Sequence, residues 1–99
     1  MAATWTYPAR VELASAFQRI RSDNPEAALR FLRQAKEAAE KIAEYPGSGT
    51  VRPEIDPSIR TRPFGKYIII YEPTQDGILV LRFIEGHRNI SELFRDRSF

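Results

Sequence analysis

Residues 67–85 read Tyr67-Ile68-Ile69-Ile70-Tyr71-Glu72-Pro73-Thr74-Gln75-Asp76-Gly77-Ile78-Leu79-Val80-Leu81-Arg82-Phe83-Ile84-Glu85. Two aliphatic and aromatic runs flank a short polar stretch containing Asp76-Gly77, a dipeptide suited to the positive φ values of tight hairpin turns. The spacing predicts strands over 67–72 and 78–85 joined by a turn over 73–77. In the second strand, strict alternation sets Leu79, Leu81 and Phe83 on one face and Ile78, Val80, Arg82 and Ile84 on the other. Apolar residues on both faces mark a strand inside a sheet rather than at its rim. Upstream, residues 59–64 are extended, and Pro63-Phe64-Gly65-Lys66 forms a turn. The second half of the chain is therefore a three-stranded antiparallel meander.

Towards the N-terminus the hydrophobic period changes from two to between three and four. Asp23-Asn24-Pro25-Glu26 supplies an N-cap, a proline that loses no helical hydrogen bond at the first position, and an acid at the positive end of the helix dipole. A helix over 25–44 follows, with an alanine-rich seam of Ala28, Phe31, Ala35, Ala38, Ile42 and Tyr45. Pro46-Gly47-Ser48-Gly49 ends it. Before it, residues 8–21 place Leu13, Ala16, Phe17 and Ile20 on one helical face, with Arg10, Arg19 and Arg21 mostly elsewhere. Small residues in the seam allow the two helices to approach as an antiparallel hairpin. Residues 2–7 alternate, with Ala3, Trp5 and Tyr7 on one side, as a short first strand does. The expected order is β-α-α-β-β-β, an α+β domain with a helix hairpin packed on a small antiparallel sheet. One domain accounts for residues 1–99.

Composition narrows the chemistry. The 99 residues include no cysteine, so disulfides, thiolate metal sites and cysteine nucleophiles are excluded. The longest apolar run, 67–71, is far too short to span a membrane. The N-terminus lacks the pattern of a secretory signal, so a cytoplasmic protein is expected. The formal charge of +2 is too mild to argue nucleic-acid binding. Twelve of the fifteen basic residues are arginine, the exceptions being Lys36, Lys41 and Lys66. The single histidine, His87, has no histidine or cysteine with which to build a metal site. Phosphate-loop and nucleophile-elbow motifs are absent, and no cofactor is expected.

The candidate functional residues are basic. Arg60 and Arg62 share one face of a strand because residues two apart point the same way. Arg82 lies in the last strand, and Arg88 follows its end. Gathered with Lys66 and His87, these side chains would suit phosphate or carboxylate, which guanidinium forks bind bidentately. The alternative holds Arg60 and Arg82 in internal ion pairs with Glu72, Glu85 or Glu54. His87 could serve as a general acid or base, or stand in an exposed Gly-His-Arg-Asn turn. Trp5 and Tyr67 read as core, and Glu37, Glu40 and Glu44, interspersed with Lys36 and Lys41, as a solvated helix face. Ser91 to Arg95 can form a helical turn, with Leu93 and Phe94 closing the core's edge or leaving it to expose a groove.

In order and spacing these pieces resemble the ParE branch of the RelE/ParE toxins, the toxic halves of bacterial toxin–antitoxin pairs. Asn24-Pro25-Glu26-Ala27-Ala28 opens the long helix as in that family, and Tyr45-Pro46-Gly47-Ser48-Gly49 closes it. Ile59-Arg60-Thr61-Arg62 and Tyr67-Ile68-Ile69-Ile70-Tyr71 are similar to its arginine and aromatic strands. Val80-Leu81-Arg82-Phe83-Ile84-Glu85-Gly86-His87-Arg88-Asn89 is similar to its strand ending. The resemblance implies a non-enzymatic toxin that poisons DNA gyrase and is neutralised by a cognate ParD-like antitoxin. The target or antitoxin would then meet Arg60, Arg62, Lys66, Arg82, His87, Arg88, Leu93 and Phe94. No membrane association or sequence-specific nucleic-acid binding of its own is implied. A RelE-like mRNA endonuclease is the alternative, with Arg62, Arg82 and His87 in its site; yet no tyrosine follows Tyr71, and Glu85 stands where many ParE members have histidine. A third reading is a non-toxic member that binds antitoxin and aids operon regulation.

Overall fold

The computed structural model describes residues 2–86. In chain order these form β1 (Ala2–Trp5), α1 (Tyr7–Asp23), α2 (Pro25–Glu44), a short 3-10 turn (Pro46–Ser48), β2 (Thr50–Val51), β3 (Arg60–Phe64), β4 (Tyr67–Thr74) and β5 (Gly77–Glu85). The sheet order is β1-β5-β4-β3-β2. The expected meander is β3-β4-β5, and two strands extend it. Two-residue β2, unforeseen in the sequence, pairs antiparallel with β3, and β1 pairs parallel with β5. The connection between the parallel strands β1 and β5 runs through the helix hairpin and then β2, β3 and β4, well beyond the length such a pair requires.

Local chemistry sets the helix boundaries. Thr6 Oγ1 accepts the Ala9 amide at the start of α1, and Asn24 Oδ1 accepts the Ala27 amide at the start of α2. The alternation of β1 therefore stops at Trp5: Thr6 becomes a cap, and Tyr7, expected to share a strand face with Ala3 and Trp5, is the first helical residue and exposed. α2 has the expected bounds. Its buried side is Ala28, Ala35, Ala39, Ile42 and Ala43, whereas Tyr45 lies beyond the helix and is exposed.

The main core lies between hairpin and sheet. Leu13, Ala16, Ala35, Ala39 and Ile42 meet Tyr67, Ile69, Tyr71, Ile78, Val80 and Phe83. Phe83 is its centre, stacked on Tyr67 with ring centroids 4.9 Å apart and tilted against Trp5 at 6.0 Å. Burial of a Phe or Ile to this degree contributes about 1.5–3 kcal/mol each. A second cluster on the opposite face joins Ile59, Ile70, Leu81 and Ile84, flanked by Ile55, Ile68 and Leu79.

The alternation expected for β5 fails at one point. Ile70 lies opposite Arg82 and Tyr71 opposite Val80, so Leu81 is the extra residue of a β-bulge. Beyond it the faces exchange. Phe83 joins Ile78 and Val80 under the helices, while Ile84 joins Leu79 and Leu81 on the far side. Pro73 is paired with Ile78 of β5 but lies past the end of β3, which accompanies β4 only as far as Tyr71, so β4 is an edge on that side where the proline stands.

Candidate interaction surfaces

The bulge and the short length of β1 together determine what Arg82 does. β1 accompanies β5 only as far as Val80. Past that point the open edge of β5 is met by side chains: Thr6 Oγ1 donates to the Leu81 carbonyl at 2.7 Å, and the Phe83 amide donates to Glu12 Oε1 at 2.9 Å. The same Glu12 carboxylate takes Arg82 Nε at 3.1 and 3.0 Å, and Arg82 Nη2 at 2.5 Å. Both side chains are about one-fifth exposed, at 18% and 19%. Arg82 is thus in an internal ion pair, as one alternative expected, but with none of the acids foreseen. Glu12 is the only acid in the first 21 residues, within a helix whose other charges there are arginine. That contrast was the signal available in the sequence.

Arg60 also faces inward. Its Nη1 donates to the Gly47 and Gly49 carbonyls at 3.1 and 2.9 Å, clamping the turn that follows α2. An ion pair of Arg60 with Glu72, Glu85 or Glu54 is not formed. Tyr71 secures the same turn, donating to the Pro46 carbonyl at 2.7 Å and accepting the Gly49 amide at 2.9 Å. Lys66 sits on the β3–β4 turn, 3.9 Å from Glu85 and 5.7 Å from the Tyr67 ring centroid. Arg19 reaches Tyr67 Oη at 3.1 Å and Glu85 at 3.9 Å.

Arg62, paired through its backbone with Ile69, is alone among the described candidates in having an exposed side chain with no hydrogen bond or ion pair to another described residue. It borders a 520 Å³ cleft with Lys41, Glu44, Tyr45 and Ser48, over a floor that includes Ile42 and Ile69. Among the described residues the basic side chains are not gathered: Arg82 is committed to α1, Arg60 to the turn after α2, and Lys66 to the far end of β3. His87, Arg88, Leu93 and Phe94 lie outside the described residues. So does the helical turn expected from Ser91.

A second cleft, also 520 Å³, opens between the helices beside the edge strand β1. Ala3, Trp5, Leu13, Phe17 and Leu32 give it an apolar lining, and Arg10 and Lys36 stand at its border. On the outer side of α2, Leu29 is 59% exposed, which carries apolar surface onward from Leu32. An exposed apolar strip bordered by cations is suited to an amphipathic, acidic partner. Among the described residues no group of three or more metal-ligating side chains occurs, and no helix is long and apolar enough to cross a membrane.

Comparison with known proteins adds to this geometry. The family model of the ParE toxin of type II toxin–antitoxin systems, parDE, matches residues 3–90. A search of curated proteins finds no match. Among solved structures, a chain of a chromosomal ParDE toxin–antitoxin system from P. aeruginosa superposes with a TM-score of 0.71 at 22% identity, covering 86% of this chain and 95% of that one. At that identity the likeness establishes a shared fold.

Proposed function

This chain belongs to the ParE toxin family of type II toxin–antitoxin systems, and from that membership we propose that it arrests growth in the cytoplasm by binding DNA gyrase without itself catalysing a reaction. The observation that favours binding over RNA cleavage is the Glu12–Arg82 pair. An endonuclease needs cations free to stabilise the charge of a phosphorane transition state. Here Arg82 has Nε and one Nη committed to a carboxylate, so it is spent on structure. Arg62 remains as the free guanidinium among the described candidates. It serves the target surface better than it serves a multi-cation RNase site.

A cognate antitoxin neutralises the toxin by occupying the cleft between the helices. Its apolar side chains contact Trp5, Leu13, Phe17 and Leu32, and its acids meet Arg10 and Lys36. Purified protein added to gyrase should inhibit supercoiling and trap cleaved DNA, and the product of the adjacent reading frame should reverse both effects. Supercoiling unaffected at large molar excess would remove gyrase as the target. Cleavage of mRNA on translating ribosomes, lost on His87→Ala substitution, would establish the endonuclease instead.

A further inference from the structure

On β3, Arg60, Arg62 and Phe64 share one face, opposite Tyr71, Ile69 and Tyr67 of β4. The outer two of the three are occupied. Arg60 holds the Gly47 and Gly49 carbonyls, and the Phe64 ring lies 5.8 Å from the ring of Phe31 on α2. Between them α2 brings the small side chain of Ala38 to the sheet, and the space left is the 520 Å³ cleft floored by Ile42 and Ile69. The Arg62 guanidinium borders that space, exposed and without a partner among the described residues. Lys41, also exposed, stands on the same cleft, so two cations border one apolar floor.

The wall made by Tyr45 and Ser48 is fixed in advance. The Ser48 amide donates to the Tyr45 carbonyl at 2.9 Å, and the turn is tied down by Arg60 at Gly47 and Gly49 and by Tyr71 at Pro46 and Gly49. A side chain at position 49 would collide with Tyr71 Oη, so glycine lets the clamp close. A wall held in this way loses little further freedom when a ligand arrives. It presents an exposed hydroxyl, Ser48, and an aromatic side chain, Tyr45, that is 71% exposed. Glu44 is the single acid on the lining.

We infer that this cleft binds a guanine nucleoside monophosphate. Arg62 takes the phosphate as a bidentate fork and Lys41 as a point charge, with the Ser48 hydroxyl as a further donor. The purine lies on the Tyr45 ring and the apolar floor. Glu44 selects the base. An ionised carboxylate only accepts, and guanine offers it the N1–H and N2–H donors side by side, whereas adenine sets an acceptor at N1 beside its amino group. The same acid repels a bare phosphate, so the lining favours an anion that carries donors at its other end. A volume of 520 Å³ lies within the range of about 300–1,000 Å³ usual for small-molecule sites. Binding requires neither gyrase nor an antitoxin, so its outcome is separate from theirs.

The test uses the full chain, titrated by calorimetry and by amide NMR with GMP, AMP and inorganic phosphate. GMP should bind at one site at least tenfold more tightly than either of the others and shift the Tyr45, Ser48 and Arg62 amide signals. Arg62→Ala should weaken GMP at least tenfold. Glu44→Ala should reduce the preference for GMP over AMP to less than threefold without weakening inorganic phosphate. Glu37→Ala, which removes an acid of α2 from outside the cleft, should change neither. All three side chains are exposed, and unchanged melting temperatures would confirm that the variants fold. Absence of saturable GMP binding, or GMP binding indifferent to Arg62→Ala, would overturn the inference. Equal affinity for inorganic phosphate would reduce the cleft to a bare anion site and overturn it as well. A guanine-containing single-stranded oligonucleotide that bound far more tightly than GMP through the same residues would assign the cleft to nucleic acid instead.

Discussion

Replacing Glu12 by alanine is the sharpest test of how the helix hairpin is fastened to the sheet. The substitution removes the carboxylate that accepts Arg82 Nε, Arg82 Nη2 and the Phe83 amide. Arg82 is then left as a mostly buried guanidinium with no counter-charge, for which the usual penalty is about 3–5 kcal/mol. Its 18% exposure admits some water and screening, which brings the expected value to the lower end of that range. The Phe83 amide, on the uncovered part of β5, loses its acceptor for about 1 kcal/mol more. The expected loss is about 3–4 kcal/mol, or some 12–30 °C in Tm for a domain of this size. Glu12→Gln retains an acceptor for the amide and should lose about half as much. Urea unfolding of the wild type, Glu12→Ala, Arg82→Met and the double variant closes a cycle whose coupling should reach about 2 kcal/mol. Because the double variant buries no orphan charge, it should be more stable than Glu12→Ala alone. A loss below 1 kcal/mol in Glu12→Ala, or additive single variants, would refute the claim that this pair anchors α1 to β5.

Gly77→Ala should detach β1. A Cβ there would lie 2.0 Å from the Ala2 carbonyl oxygen and 2.8 Å from its nitrogen, and backbone atoms have little room to yield. A loss of at least about 2 kcal/mol is expected in thermal unfolding, with a red shift of Trp5 fluorescence. Tyr71→Phe should cost about 1–3 kcal/mol in the same assay, since a buried hydroxyl that both donates to Pro46 and accepts from Gly49 is lost. Arg62→Glu should change stability by less than about 0.5 kcal/mol, as the side chain is exposed and unpaired among the described residues. It should nonetheless weaken gyrase inhibition about tenfold if Arg62 contacts the target, as interface arginines often do; undiminished inhibition would remove it from that surface.

The elements were legible because each carries its own local physics. Asn24 before Pro25 starts α2 at the expected residue, since a cap and a helix-compatible proline act within one turn of chain. Asp76-Gly77 and Gly65 turn the meander for similarly local reasons, Gly65 adopting a positive φ of 57°. The two-residue strand β2 leaves no mark in the sequence because strands that short carry no periodicity. Its pairing with Thr61 and Arg60 arises only once β3 is in place. The faces of β5 beyond Leu81 depart from simple alternation because alternation assumes an unbroken ladder, and a bulge inserts one residue without a composition signature.

Charge was the least legible property. The sequence by itself determined that arginine dominates the basic residues, and that Arg60 and Arg62 share a face, because backbone geometry dictates period two. It did not determine which of them is available to a partner. That depended on contacts between residues far apart in the chain: Glu12 with Arg82, separated by 70 positions, and Glu40 with Ala3, separated by 37. A charged side chain's role is set by the partner it finds, and finding it requires the hairpin to be laid across the sheet. Periodicity and turn chemistry act over a few residues, so they can be read along the chain. Desolvation and ion pairing act across space, and only the tertiary structure decided which arginines became part of the scaffold and which was left for function.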